Sequence, residues 1–154
     1  MSDNSGLKAQ AFGGRFKLDP SAVARAESAL KSLSANFDQW MVEELARLEA
    51  ARERIRAEGY NAATAENLYM RAHDIKGLGS TYGYPLVTRI GSSLCDLLHD
   101  PETRLAAPVA LVEAHVDAIA ASVRRNIRTD ADAAGRALAE ELEAQAARVT
   151  RRAA

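Results

Sequence analysis

Ala72-His73-Asp74-Ile75-Lys76-Gly77-Leu78-Gly79-Ser80-Thr81-Tyr82-Gly83 is the stretch around which the rest of the chain can be organised. Laid on an α-helix at about 100° per residue, it extends a pattern that begins near Thr64, and the spacing predicts a helix over 64–81. Leu68, Ala72, Ile75, Gly79 and Tyr82 fall on one side as a core stripe. His73 falls on another, bordered by Glu66, Tyr69, Met70, Lys76, Gly77 and Ser80. A helix with a single apolar stripe has to bury it against other helices, so the flanking sequence is expected to supply them.

It does so on both sides. Upstream, Asp19-Pro20-Ser21 is a helix start, followed by a short stripe of Val23, Ala26, Leu30 and Leu33. A second start is expected near Ser34 or Asn36, with Phe37, Trp40, Met41, Leu45, Leu48 and Ile55 at helical spacing until Gly59 stops the run. Downstream, Gly83-Tyr84-Pro85 punctuates the chain, and Leu86, Ile90, Leu94, Leu97 and Leu98 make a helix that ends at His99-Asp100-Pro101. Leu111, Val112, His115, Val116, Ile119, Val123 and Ile127 form another, and an Ala- and Glu-rich tail carries a thin stripe of Ala134, Leu138, Leu142 and Val149. The expected fold is all-α, an antiparallel four-helix bundle with accessory N- and C-terminal helices. The divisions are a loose arm over residues 1–18, an accessory helix over 19–33, the bundle over 34–128 and a charged C-terminal helix or tail over 129–154.

Composition agrees with that fold. Apolar residues make up 47% of the 154 but aromatics only 5%, so the core has to be built from Ala, Leu, Val and Ile, which favours helices. Twenty basic residues against 21 acidic leave no strong field, and neither nucleic acid nor an anionic membrane surface is expected as a partner. The first ten residues have no apolar core of a secretory signal, and nowhere do eighteen apolar residues run together; a cytoplasmic protein is expected. A single cysteine, Cys95, excludes an internal disulfide and a cysteine-based zinc site.

The chemistry concentrates at His73. A nucleophilic imidazole that serves a whole protein domain needs exposure, and the helical phase supplies it. Lys76, one turn later, can reach phosphoryl oxygens as a point charge. Gly77 is the other neighbour one turn on; a glycine inside a helix costs about 1 kcal/mol against alanine, and clearing the approach to the ring is a reason to carry it. Gly79 lies on the core face, where it lets a neighbouring helix come close, and Gly83 ends the helix. Tyr69 and Met70 form an adaptable apolar rim that, with Ser80, suits a docking surface.

Alone, His73 would be an ordinary surface histidine and Lys76 a solvated charge. Together, H-x-x-K-G followed by a glycine six residues after the first resembles the histidine phosphotransfer (HPt) domain of bacterial multistep phosphorelays. His73, Lys76, Gly77 and Gly83 fill the four positions, with the small Ala72 before them and Ile75 at the aliphatic place. The likeness covers roughly residues 34 to 128, of which about a dozen are specific. It implies a phosphocarrier with no ATP-dependent kinase activity of its own. His73 would accept a phosphoryl group from a receiver-domain aspartyl phosphate, and Lys76 would stabilise its charge. The implied partners are receiver domains of response regulators and a hybrid or cognate histidine kinase. No cofactor is expected on this chain, because Mg²⁺ belongs to the receiver. A free-standing monomer is expected.

One position departs from the family. Many members carry on the next helix a glutamine that hydrogen-bonds the histidine ring, expected near Cys95; Ser92, Ser93, Cys95 and Asp96 stand there instead. Ser92, Cys95 and Asp96 are the candidates to orient the ring, with Asp96 or a serine able to fix its tautomer. Elsewhere, His115 reads as a hydrogen-bonded core residue and His99 as a helix C-terminal residue. Neither has a second ligand at i+3 or i+4, so no metal site is expected. Arg71 and Arg89 are candidates for steering an acidic partner surface. The alternative function is a non-catalytic helical adaptor that binds a receiver or kinase without being phosphorylated.

Overall fold

The computed structural model describes residues 19–153, so the arm expected over 1–18 lies outside the described residues. Those residues form helices joined by turns and loops, with no strand: α1 (Pro20–Glu58), α2 (Ala62–Gly79), α3 (Pro85–Leu98), a 3₁₀ turn (Arg104–Ala106), α4 (Val109–Arg124) and α5 (Ala133–Ala153). None of these helices is long and apolar enough to cross a membrane. The chain divides into two compact units, Met1–Asn36 and Phe37–Ala154.

In the first unit, Asp19 caps the start of α1, accepting from the Ser21 amide at 3.3 Å and from its hydroxyl at 2.7 Å. Leu30 and Leu33 of the expected apolar stripe stand exposed, at 66% and 44%. The helix start expected at Ser34 or Asn36 is absent, because α1 runs through both residues unbroken. A serine or asparagine adds stability as a cap only where amides are unpaired; within good helix formers such as Leu30, Lys31, Leu33 and Ala35 it costs only tenths of a kcal/mol.

In the second unit, α3 is the interior helix. Nine of its 14 residues are buried, and α2, α4 and α5 all pack on it. Met41, Leu45, Leu48 and Ile55 from α1, Leu68, Ala72 and Ile75 from α2, and Val112, Val116 and Ile119 from α4 complete the core, as the helical spacing predicts. Ion pairs bind α1 to α4 outside that core, through Arg52 to Asp117, Arg56 to Glu113 and Arg124 to Glu49.

Helix α5 follows its expected stripe only in its second half, where Leu142 is buried and Val149 packs against the core. Ala134 and Leu138 are exposed, whereas Gly135, Ala139 and Ala146 are buried. Small size decides this: a Cβ on Gly135 would come within 2.9 Å of both Ile127 and Leu86, so the helix presents its smallest residues to the closest contact. Arg89, a candidate for steering a partner, is instead a clamp between helices. Its guanidinium grips the Glu143 carboxylate with two bonds of 2.8 Å and reaches Asp130 at 3.2 Å.

His115 lies wholly buried. Its Nδ1–H donates to the Leu111 carbonyl at 2.8 Å, which leaves Nε2 to accept from the Ser93 hydroxyl at 2.9 Å. Burial pushes its pKa below the ordinary value of 6.5. Below that pH the unfolded chain takes up a proton that native His115 resists, so folding stability falls as pH drops under about 6.5 and is retained above it. Urea unfolding between about pH 7.5 and 5 measures this; the decline is expected to be shallower in His115→Gln. An identical decline in both proteins would place the titration elsewhere.

Candidate functional site

Helix α2 owes its start to a reciprocal cap. Asn61 accepts from the Thr64 amide at 3.0 Å while the Thr64 hydroxyl accepts from the Asn61 amide at 3.0 Å. Its end is made by Gly83, whose φ of +88° is open to glycine, and by the Tyr84 amide donating to the Gly79 carbonyl at 2.7 Å. Between these ends the phase of α2 is set by burial of Ala65, Leu68, Ala72 and Ile75. His73 therefore stands exposed well inside the helix, and Asp74, Gly77 and Ser80 are exposed with it.

Two close approaches hold α2 against α3. A Cβ on Gly79 would sit 2.5 Å from the Thr88 hydroxyl oxygen and 2.9 Å from its amide nitrogen. On the partner helix, a Cβ on Gly91 would meet Cα and Cβ of Lys76 at 3.2 Å. Thr88 fills the space between: its hydroxyl donates to the Lys76 carbonyl at 2.8 Å and accepts from the Ser80 amide at 2.8 Å. Thr88 and Gly91 were not picked out from sequence, although a glycine inside α3 is the same signal that marks Gly79. Lys76 is half-buried over this contact, and among the described residues no carboxylate lies within ion-pair distance of it.

Gly77 is the opposite case. Among the described residues nothing lies within 4 Å of the Cβ it lacks, so no described neighbour requires a glycine there. It lines a shallow surface depression with His73, Asp74, Leu78, Arg71, Glu44 and Arg47. The charges at its edge are paired off, Arg47 with Glu44 and Arg71 with Asp74. Such exposed pairs contribute at most about 1 kcal/mol each, so Arg71 can leave its aspartate for an incoming carboxylate.

Tyr69, one turn before His73, is half-buried with its ring centroid 6.3 Å from the imidazole, and Met70 beside it is 56% exposed. Among the described residues no hydrogen bond reaches the His73 ring, so none of the proposed ring-orienting residues serves that role. Thr88, Gly91 and Cys95 are the α3 positions turned toward α2. Ser92 and Asp96, about 100° further round, line a groove with Glu143, Ala146 and Thr150 of α5 instead. Ser93 is engaged by His115. Cys95 is buried, and burial pushes its thiol up to about 11, against the opposing charge of Lys76. Among the described residues no three His, Cys, Asp or Glu side chains gather to hold a metal ion.

Comparison with protein-family models, curated proteins and solved structures finds no match to this chain. Its residues and geometry alone carry the functional reading.

The two glycines of α2 predict opposite responses to alanine. Gly77→Ala is expected to raise stability by about 0.5–1 kcal/mol, the ordinary gain of alanine over glycine in a helix. Gly79→Ala is expected to lower it by about 1–3 kcal/mol through overpacking against Thr88. Urea denaturation of the two variants distinguishes them; a loss of stability in Gly77→Ala would mean that this glycine serves packing.

Proposed function

We propose that this chain is a histidine phosphotransfer protein that accepts a phosphoryl group on His73 from a receiver-domain aspartyl phosphate and relays it to, or back from, another receiver. The observation that supports this best is the exposed His73 imidazole, with a lysine one turn on and a glycine beside it that no contact among the described residues demands. A structural glycine fills a tight space. This one keeps a space empty above the surface, as a docking domain needs.

In the transfer, the lone pair of one imidazole nitrogen attacks phosphorus as the bond to the aspartate oxygen breaks. The aspartate leaves as a carboxylate with that electron pair, and the second ring nitrogen retains or releases its proton to solvent. The transition state is loose, so what the protein contributes is position and charge. The Lys76 ammonium neutralises phosphoryl oxygens, while the receiver brings the aspartate and Mg²⁺. Within this reading α2, α3, α4 and α1 from Phe37 onward form the antiparallel four-helix bundle, and α5 is an accessory cover. The partners are receivers and a hybrid or cognate histidine kinase that binds the Met70 and Gly77 surface, the chain being a cytoplasmic monomer.

The alternative is an adaptor that binds a receiver through the same surface and takes no phosphate. Incubation with phosphorylated receivers separates the two. Phosphotransfer predicts acid-labile, base-stable phosphate on the wild-type chain and none on His73→Gln. Equal labelling of that variant contradicts the assignment, and binding without labelling of either protein selects the adaptor.

A further inference from the structure

We infer that Tyr69 and Arg104 are positioning residues for the His73 ring, an aromatic and cationic stack standing where the expected hydrogen bond from α3 is missing. For its consequence in transfer the inference rests on His73 being the phosphoacceptor; for the ring itself it rests on geometry alone.

Arg104 belongs to the 3₁₀ turn between α3 and α4, and only 7% of it is exposed. Its guanidinium is held by the end of α3: Nε donates to the Leu98 carbonyl and a terminal nitrogen donates to the His99 carbonyl at 3.3 Å. These are carbonyls that a helix C-terminus leaves without partners, so the arginine caps α3 with its side chain. The Arg104 carbonyl in turn accepts from the Tyr60 hydroxyl at 2.7 Å. Fixed at both backbone and side chain, the guanidinium lies 4.8 Å from the centre of the Tyr69 ring. A planar cation at that distance attracts the aromatic face.

Tyr69 then passes this constraint to His73. The two are one helical turn apart, and side chains on a helix lean toward its N-terminus, which brings the imidazole toward the tyrosine. Their centroids are 6.3 Å apart and their planes tilted by 56°, within the range of edge-to-face aromatic pairs. The ring is walled on its N-terminal side by a tyrosine that Arg104 keeps from swinging out. On its C-terminal side Gly77 leaves it open. The two sides together leave the imidazole one supported direction and one free direction, and the phosphoryl donor has access from the free one. Wedging by the tilted Tyr69 ring, itself held under the Arg104 guanidinium, takes the place of the hydrogen bond that Ser92, Cys95 and Asp96 do not make.

The test uses the whole chain with Tyr69→Phe, which keeps the ring, Tyr69→Leu, which keeps apolar bulk without it, and Arg104→Lys, which keeps charge without the flat guanidinium. The first readout needs no phosphate: side-chain couplings and imidazole ¹⁵N shifts of His73 by NMR. Wild type and Tyr69→Phe are expected to give one ring conformer, and Tyr69→Leu and Arg104→Lys rotamer-averaged couplings. Wild-type couplings in folded Tyr69→Leu would overturn the role of Tyr69, and wild-type couplings in folded Arg104→Lys that of Arg104. The second readout is the labelling rate with potassium phosphoramidate, whose P–N bond breaks to release ammonia as the imidazole takes phosphorus. A slowing of roughly tenfold in Tyr69→Leu, with Tyr69→Phe unchanged, is expected for a misplaced nucleophile. If the couplings respond as expected but the wild type takes no phosphate, the positioning stands and the phosphotransfer reading fails.

Discussion

Helices α2 and α3 meet where neither puts a full side chain in the way. Gly79 lies against Thr88, Gly91 lies against the backbone of Lys76, and a methyl group added at either glycine would force atoms closer than ordinary contact. Close-packed interiors tolerate little slack, so this pair of approaches fixes the rotation of α2 about its own axis as well as its distance from α3. The Thr88 hydroxyl, bonded to the Lys76 carbonyl and the Ser80 amide, locks the same register with directional contacts. Once that rotation is fixed, Ala72 and Ile75 have to face inward and His73 has to face out.

The same contact links the core to the chemistry. Lys76 belongs to both: its backbone is held against α3, and its ammonium projects from one turn beyond His73. In the proposed transfer, packing sets where the Lys76 side chain leaves the helix, which suits a reaction whose barrier is lowered by position and charge. The other side of the site is tied to the chain by a second route, through Tyr69, Arg104 and the end of α3. His73 is thus mounted on one helix and bordered by groups anchored in two different parts of the structure.

What could be read in the sequence was local. The outward phase of His73, the packing of Gly79, the end of α2 at Gly83 and the buried role of His115 all follow from helical spacing within a few residues. At Gly77 the helical phase places the residue on the exposed face, and among the described residues no packing contact accounts for it. Non-local features were not legible. Thr88 bonds a carbonyl of α2 and Arg104 covers the Tyr69 ring, contacts that only the fold brings together, and the side chain under Lys76 is absent by virtue of a glycine on another helix. Polar side chains misled in two places: Ser34 and Asn36 suggested a break that the surrounding helix formers override, and Arg89 seemed free for a partner but is held by Glu143. In α5 the larger residues suggested a stripe through Leu138, whereas close packing selected Gly135, Ala139 and Ala146.

In the proposed transfer, one of the three histidines, His73, held outside the core by the α2–α3 contact, is the phosphoacceptor. Long-range ¹H–¹⁵N spectra of the imidazoles, recorded as a phosphorylated receiver and Mg²⁺ are added, follow His73, His99 and His115 in a single sample. A phosphoryl-induced shift of the His73 ring alone, with His115 unmoved in its bonds to Ser93 and Leu111, is the result expected. Phosphate appearing on His99, or a receiver that binds while all three rings stay unmodified, would contradict it.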